Sequence, residues 1–284
     1  MLDIILQPFF LRALAAVVIS SLVASLVSVF VVLRRYSALS AAIAHASLAG
    51  AVLGLLIGIN PLLGALAVSL AFSLAAAYSD LKTGGRPDIM IGVTFGFSTA
   101  VAIMLISMMS AYTTSAWAYL IGDVLSVTVE EIGLLLLVSS VVLSLLRMFY
   151  KEFKFVTFDK EAAEAMGLNV RFYSYLLVVL IALTTVVLLK VVGSILAVVL
   201  LVAPAAAAYQ FSHSFKEMSV FAAIFAAASG VLGLLLSVGL NASASAFIGV
   251  FASLLYFASL LLSTKKRKCR SITECFRVVE EKRV

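Results

Sequence analysis

Nine apolar segments, each long enough to cross a bilayer, dominate this sequence of 284 residues. A helix of about 20 apolar residues covers about 30 Å of hydrocarbon. The segments are 11–33, 37–59, 61–80, 89–111, 129–149, 172–190, 191–211, 218–238 and 241–263. Because only 12% of the residues are charged, the chain cannot coat a water-soluble fold. The sequence predicts an all-α polytopic membrane protein of about nine transmembrane helices. Eight is the alternative, since only Lys190 marks the boundary at 190/191.

The basic residues predict how these helices are oriented. With the N-terminus outside, 18 of the 20 Lys and Arg residues fall in cytoplasmic segments, and only Arg12 and Lys190 do not. We therefore expect a plasma-membrane protein with a cytoplasmic C-terminus. We expect residues 1–264 to form the transmembrane domain and residues 265–284 a basic tail that contacts anionic membrane lipid. The positive charge reflects topology, so no nucleic acid partner is expected.

Catalytic motifs are missing from the sequence. Neither the nucleotide-binding pattern G-x-x-x-x-G-K-[ST] nor H-E-x-x-H, C-x-x-C or G-x-S-x-G occurs. Cys269 and Cys275 are too few for a structural zinc site. Every Asp and Glu falls in a loop or at a segment end, whereas proton-coupled carriers place a carboxylate deep in the membrane. We therefore expect that the chain does not hydrolyse nucleotide itself, and the sequence gives little support to an intramembrane hydrolase.

His45 is the one ionisable residue well inside a predicted helix, roughly 12 Å from its start. The residues three and four positions away are apolar, so a partner must come from another helix. Two interpretations stay open: a hydrogen bond between packed helices, or contact with a cation along a pathway. One imidazole cannot form a tight zinc site, which takes three or four protein ligands, so only transient contact is expected.

Several turn-forming residues predict where helices begin, end or bend. Asn60 and Pro61 are typical of a tight turn, Asn241 of an N-cap that opens the last helix, and Pro204 of a kink. Asp123, in the outer loop 115–128, is interpreted as a solvated charge or a cap. G-x-x-x-G patterns favour close helix packing; they occur at Gly50, Gly54 and Gly58 and at Gly92 and Gly96.

The cytoplasmic segment 155–170 contains the signals of a short helix. Asp159 can cap its start, and Gly167 can end it at the position after the C-cap, which leaves about two turns. Such a helix can transmit force from a partner protein. The alternative is an amphipathic helix that lies at the lipid headgroups.

Four separated segments, in this order and spacing, resemble the permease subunits of the zinc/manganese-type ABC import systems. They are Arg34-Arg35 followed by Ala42 to Gly50, the loop Gly122 to Val127, the segment from Phe158-Asp159 to Gly167-Leu168, and Val192 to Leu196 continuing to Pro204-Ala205-Ala206. The resemblance covers nearly the whole hydrophobic chain.

This resemblance implies a homodimer that works with cytoplasmic ATPase subunits and an extracytoplasmic metal-binding protein. The cargo would be zinc or manganese, with iron as a further alternative; ATP would be bound by the partner, and no cofactor would be held permanently. The segment 158–167 would be the coupling helix, with contacts from Phe158, Asp159, Glu161, Ala162, Ala163 and Gly167.

The resemblance also implies a substrate pathway along His45, Ser47, Asp123 and Asn241, with His45 contacting the metal. Two departures matter. Ala41 stands where the family commonly has Asp, and 241–245 lacks the usual Asp and Pro, so no carboxylate role is carried over. The alternative functions are a stand-alone secondary carrier or channel for cations and, third, an intramembrane enzyme.

Overall fold

The computed structural model describes residues 7–82, 87–108 and 113–263, which form helices and no strand. The helices are α1 (Pro8–Leu33), α2 (Ser37–Ile57), α3 (Pro61–Lys82), α4 (Pro87–Met108), α5 (Thr113–Ile121), α6 (Val129–Met148), α7 (Tyr150–Phe158), α8 (Lys160–Ala165), α9 (Val170–Leu200), α10 (Ala203–Phe211), α11 (Phe215–Leu240) and α12 (Ala244–Leu261). The predicted all-α fold is confirmed. The predicted basic tail, with Cys269 and Cys275, lies outside the described residues.

Eight helical runs in the described part of the chain are long and apolar enough to cross a membrane. The helices α5, α7 and α8 are not among them, because 9, 9 and 6 residues cover at most about 14 Å. Val170–Phe211, which combines α9 and α10, counts as a single run of 42 residues. The chain is a multi-pass membrane protein.

The long run from α9 to α10 reverses its direction at Gly193. This residue has φ 83° and ψ 164°, which interrupts the helix, and its backbone packs against that of Gly122. About 30 Å away, at the other end of α6, the ring of Tyr173 lies 6.1 Å from that of Phe153. Phe215, just after the run, lies 5.5 Å from Tyr150 at this same end. The run therefore leaves one end of the molecule and returns to it.

This reversal bears on the predicted topology. The turn lies at Gly193, three residues beyond the boundary expected at 190/191. If the chain crosses the membrane nine times, the run Val170–Phe211 has to cross it twice, outward and back. By length and composition alone the same run is one span. The number of crossings and the sides on which the termini lie stay predictions.

The helices α2 and α3 form a closely packed hairpin. The helix α2 ends at Gly58, with φ 80°, and the Asn60 side chain accepts a hydrogen bond from the Leu62 N–H at 2.9 Å, just after Pro61 begins α3. A Cβ on Gly50 would overlap the backbone of Gly64, so the helices touch at these two glycines. The predicted turn and the predicted close packing of α2 are confirmed.

Three other predicted features differ in the structure. Gly92 and Gly96 face open space in the described part of the chain, so this G-x-x-x-G pattern makes no close packing there. Asn241 does not open the last helix. It adopts a left-handed conformation, with φ 52°, and ends α11, while α12 begins after Ser243. Pro204 lies in the first turn of α10, where its missing N–H is tolerated, directly after the helix break at 201–202.

Two apolar clusters hold the bundle together. The larger one centres on α1 and α9 and includes the fully buried side chains of Phe10, Phe153 and Leu180. The smaller one joins α2, α3, α4, α5 and α9 and includes Leu48 and Tyr119. Because α2 contributes residues up to Ile43 to the first cluster and from Leu48 to the second, His45 lies between the two.

Candidate metal pathway and coupling segment

His45 is half-buried on α2, and its ring packs edge-on against Phe95 of α4. The ring centroids are 4.7 Å apart at an interplanar angle of 77°. The Nδ1 atom of His45 is buried and has no hydrogen-bond partner among the described residues. When the ring proton is on Nε2, Nδ1 keeps a lone pair that can bind a cation. Of the two interpretations of His45, the hydrogen bond between packed helices is therefore not formed by this nitrogen.

Ser47 does not share a surface with His45. Two residues along an α-helix are separated by about 200° of rotation, so the two side chains leave α2 on different sides. The Ser47 side chain is buried, and its Oγ donates to the carbonyl oxygen of Ala44 at 2.9 Å. The structure does not bring this predicted pathway residue to the imidazole.

Asp123 borders a small polar cavity at the end of the molecule where Gly122 meets Gly193. The cavity has a volume of about 70 Å³ and is lined by Ala118, Tyr119, Asp123, Ser126, Glu131 and Lys190. Asp123 is exposed and caps no helix through its side chain. Its predicted position in a solvated loop agrees with the structure.

Asn241 lies at the same end of the molecule as Asp123. It is exposed, and four residues later the Ser245 hydroxyl donates to the Gly122 carbonyl oxygen at 3.2 Å. The start of α12 is thereby attached to the outer loop. Asp123 and Asn241 thus share one end of the bundle, while His45 lies within it on α2.

An ion pair in this cavity was not predicted from the sequence. Lys190 Nζ lies 3.0 Å from Glu131 Oε1 and donates to the Tyr119 hydroxyl at 3.3 Å. The other Glu131 oxygen accepts the Thr128 N–H at 3.0 Å, within a capping box that begins α6. The spacing Thr128-x-x-Glu131 could have revealed the cap. The isolated charge of Lys190 in an apolar run could have revealed the need for a partner.

No group of three or more His, Cys, Asp or Glu residues that could hold a metal ion occurs in the described part of the chain. A resident, tightly bound metal needs three or four such ligands.

The predicted short helix at 158–167 is formed by α8. The Asp159 carboxylate accepts the Ala162 N–H at 2.9 Å, as expected of an N-cap. Gly167 has φ 83° and follows the C-cap, and the Leu168 N–H donates to the Ala163 carbonyl at 3.0 Å. The helix has six residues, and it is preceded by α7, which the sequence did not indicate.

One side of α8 is exposed. Phe158 and Met166, which flank the helix, are 61% and 74% exposed, and Glu161 is exposed between them. Ala163 faces inward and is fully buried, and Ala162 is half-buried. The helix thus rests on the bundle through one side and presents an apolar and acidic surface on the other.

Arg34 connects the α7–α8 segment to the bundle. Its guanidinium, at the end of α1, donates to the Thr157 hydroxyl at 3.3 Å and to the Ser174 hydroxyl at 3.0 Å. Thr157 lies in the last turn of α7 and Ser174 in the first turns of α9. Arg34 thus links the last turn of α7 to the end of α1 and the start of α9.

Known proteins are similar to this chain along nearly its whole length. The profile of the ABC 3 transport family matches residues 7–263. The manganese transport system membrane protein MntC of Listeria monocytogenes is 34% identical over 258 residues, which cover 91% of this chain and 92% of that protein. The chelated iron transport system membrane protein YfeD of Yersinia pestis is 29% identical over 272 residues, which cover 94% of this chain and 91% of that protein.

A solved structure also has this fold. The chain is similar to a chain of PsaBC from Streptococcus pneumoniae in complex with Fab, with a TM-score of 0.83 and 31% sequence identity. The similarity covers 94% of this chain and 96% of that one.

Proposed function

Because the chain belongs to the ABC 3 transport family, and is thus a membrane permease of the metal-importing type, we propose that two copies form the pathway of an ATP-driven importer. The cargo is a divalent transition-metal cation, manganese or zinc, with iron as a further candidate. The observation that carries this proposal is the match of the family over residues 7–263, which include every proposed site residue.

The pathway begins at the acidic outer loop and passes His45. Asp123 lies at the surface of this loop and can attract a cation from a metal-binding protein docked outside. The unpaired Nδ1 of His45 then supplies an imidazole ligand, which manganese, zinc and iron all accept. With Ala41 one turn before His45, no carboxylate is available at that position of α2. The ion is therefore held weakly and released readily.

A second copy of the chain packs against the exposed side of α4. Val93 and Phe97 of this helix are 68% and 67% exposed. Each lies two residues from Phe95, which contacts His45, so both project from the side of α4 that faces away from the imidazole. Contact between two such α4 surfaces would bury these apolar side chains. The dimer is expected at twice the chain mass of 30.1 kDa when its mass is measured in detergent.

The helix α8 couples this pathway to a cytoplasmic ATPase. Its exposed side provides the contact surface, with Phe158 and Glu161, while Asp159 and Gly167 fix its two ends. Movement of the ATPase would shift α8, and Arg34 would carry the shift to α1 and α9.

The transport role of His45 can be tested with the second histidine of the chain as a matched control. We expect His45→Ala to slow manganese uptake at least about tenfold. Even the loss of a residue that only hydrogen-bonds to a metal ligand lowers metal affinity about 10–100-fold. His213→Ala removes an exposed imidazole just after the end of α10 and should leave uptake unchanged. The assay uses vesicles that contain this chain, its ATPase subunit and the metal-binding protein of the same system.

Two measurements make this test decisive. The thermal unfolding temperature of His45→Ala must stay near that of the wild type, and His45→Gln, which preserves much of the volume, should show the same slow uptake. Uptake at the wild-type rate by both variants would contradict the pathway. Uptake by the chain alone, driven by a proton gradient without ATPase, would replace the importer by a secondary carrier.

The coupling of α8 to the ATPase can be tested by reversing one charge at each of two opposite ends of the molecule. Glu161→Arg reverses a charge on α8, whereas Glu130→Arg does so at the exposed start of α6. We expect only Glu161→Arg to reduce the retention of the ATPase subunit in a pull-down of the solubilised chain. Gly167→Pro should have the same effect by changing the end of α8. Unchanged retention in both α8 variants would contradict the proposed contact.

A further inference from the structure

A large apolar cleft opens between α1, α6 and α11, apart from the proposed pathway. It has a volume of about 470 Å³. Its apolar lining comes from Leu26, Phe30, Leu143, Leu146, Phe215 and Val220, with Tyr150 at one end. The cleft lies at the end of the bundle that carries α7, since Phe30 and Tyr150 of α7 both contact Phe215 there.

Two cationic side chains border this cleft. Arg147 and Lys216 both line it, and both are exposed. Neither forms an ion pair or a hydrogen bond with another described residue. Glu217 follows Lys216 in the sequence, but its carboxylate accepts a hydrogen bond from the His213 N–H at 2.9 Å. The mouth of the cleft thus carries two positive charges without a counter-charge of their own.

The apolar floor extends from these charges into the depth of the membrane. Leu26 lies seven residues before the end of α1, which corresponds to about 10 Å along the helix. Leu143 lies four residues before Arg147, and Val220 four residues after Lys216, or about 6 Å each. The cleft therefore combines a charged mouth at the membrane surface with an apolar groove in the hydrocarbon.

We propose that this cleft binds one anionic phospholipid of the cytoplasmic leaflet. The phosphate group is held by Arg147 and Lys216, and an acyl chain lies in the groove along Leu26, Leu143 and Val220. Basic pockets between transmembrane helices on the cytoplasmic side are suited to such headgroups. The lipid would fill space between α1 and α11. This site is independent of His45 and of the transported metal.

Tryptophan quenching by brominated lipids tests the acyl-chain position. Trp117 is the one tryptophan of the chain and is first replaced by Phe. In this background, Leu143→Trp places the probe in the cleft, and Phe257→Trp places it on the exposed surface of α12. We expect brominated phosphatidylglycerol to quench the Leu143→Trp probe at a concentration about tenfold lower than brominated phosphatidylcholine. The two lipids should quench the Phe257→Trp probe equally.

Charge-neutral variants test the headgroup position. Arg147→Gln combined with Lys216→Gln should abolish the preference for phosphatidylglycerol at the Leu143→Trp probe. Lys160→Gln combined with Arg171→Gln removes the same charge from exposed positions outside the cleft and should preserve it. Unfolding temperatures verify that all variants are folded.

Three outcomes would overturn the proposal. They are equal quenching of the Leu143→Trp probe by the two lipids, an undiminished preference in the Arg147→Gln and Lys216→Gln variant, and full displacement by glycerol phosphate, which lacks an acyl chain. Binding of the ATPase subunit that removes all quenching, whichever lipid is used, would assign the cleft to that protein instead.

Discussion

Gly122 provides a quantitative test of the contact between the outer loop and the break in α9. Gly122 and Gly58 have φ values of 83° and 80°, a region that disfavours a Cβ by about 1–2 kcal/mol. A Cβ on Gly58 would meet open space, whereas a Cβ on Gly122 would overlap the carbonyl group of Val192. Gly58→Ala therefore carries the conformational penalty alone, and Gly122→Ala also has to separate two backbone segments.

The difference between the two variants follows from this contact. Inserting a methyl group into a packed site costs about 1–3 kcal/mol, and here no flexible side chain can move aside because the neighbours are backbone atoms. We expect Gly58→Ala to lower the free energy of unfolding by about 1–2 kcal/mol and Gly122→Ala by about 2–5 kcal/mol. At about 2–4 °C per kcal/mol, Gly122→Ala should unfold about 2–12 °C below Gly58→Ala.

The measurement is thermal unfolding in detergent, followed by the fluorescence of Trp117, which lies five residues before Gly122. Gly133→Ala is the control: this glycine is inside α6 and faces open space, so alanine should stabilise the helix by about 0.5–1 kcal/mol. Equal unfolding temperatures for Gly58→Ala and Gly122→Ala would refute the close contact.

Two further predictions concern side chains. Lys190→Met leaves the Glu131 carboxylate without its cation and should lower the free energy of unfolding by about 1–3 kcal/mol, while Lys190→Met combined with Glu131→Leu should recover part of that loss. Additive losses in thermal unfolding would contradict the pairing. Asp159→Ala removes the N-cap of α8, worth about 1 kcal/mol, and should speed hydrogen exchange of residues 160–165 without changing the global unfolding temperature. Unchanged exchange would argue against this cap.

The features predicted correctly from the sequence are those set by neighbouring residues. Asp159 and Gly167 act on backbone groups at most four residues away, so their spacing alone indicates where α8 begins and ends. The turn at Asn60 is similar, because its side chain binds an N–H two residues later. The apolar segments could also be predicted from the sequence, because a helix in lipid forms all its backbone hydrogen bonds within its own segment.

The features that the sequence did not reveal depend on distant residues or on conformation. Lys190 pairs with Glu131, which lies in a different helix, and the polar residues alone do not indicate which acid is near. The reversal was expected beside the charge of Lys190, yet it occurs at Gly193, where a positive φ is required. Gly92 and Gly96 are a different case: a G-x-x-x-G pattern permits close approach, but within one copy of the chain no described helix packs at these glycines.

The hydrogen bonds of Arg34 also impose an order on biosynthesis. Ser174, which accepts one of them, is 140 residues further along the chain. At about 5–20 residues per second, the ribosome needs roughly 7–28 s to synthesise that stretch. During this interval the guanidinium lacks this partner. The hydrogen bond to Ser174 can form only after about three fifths of the polypeptide have been synthesised.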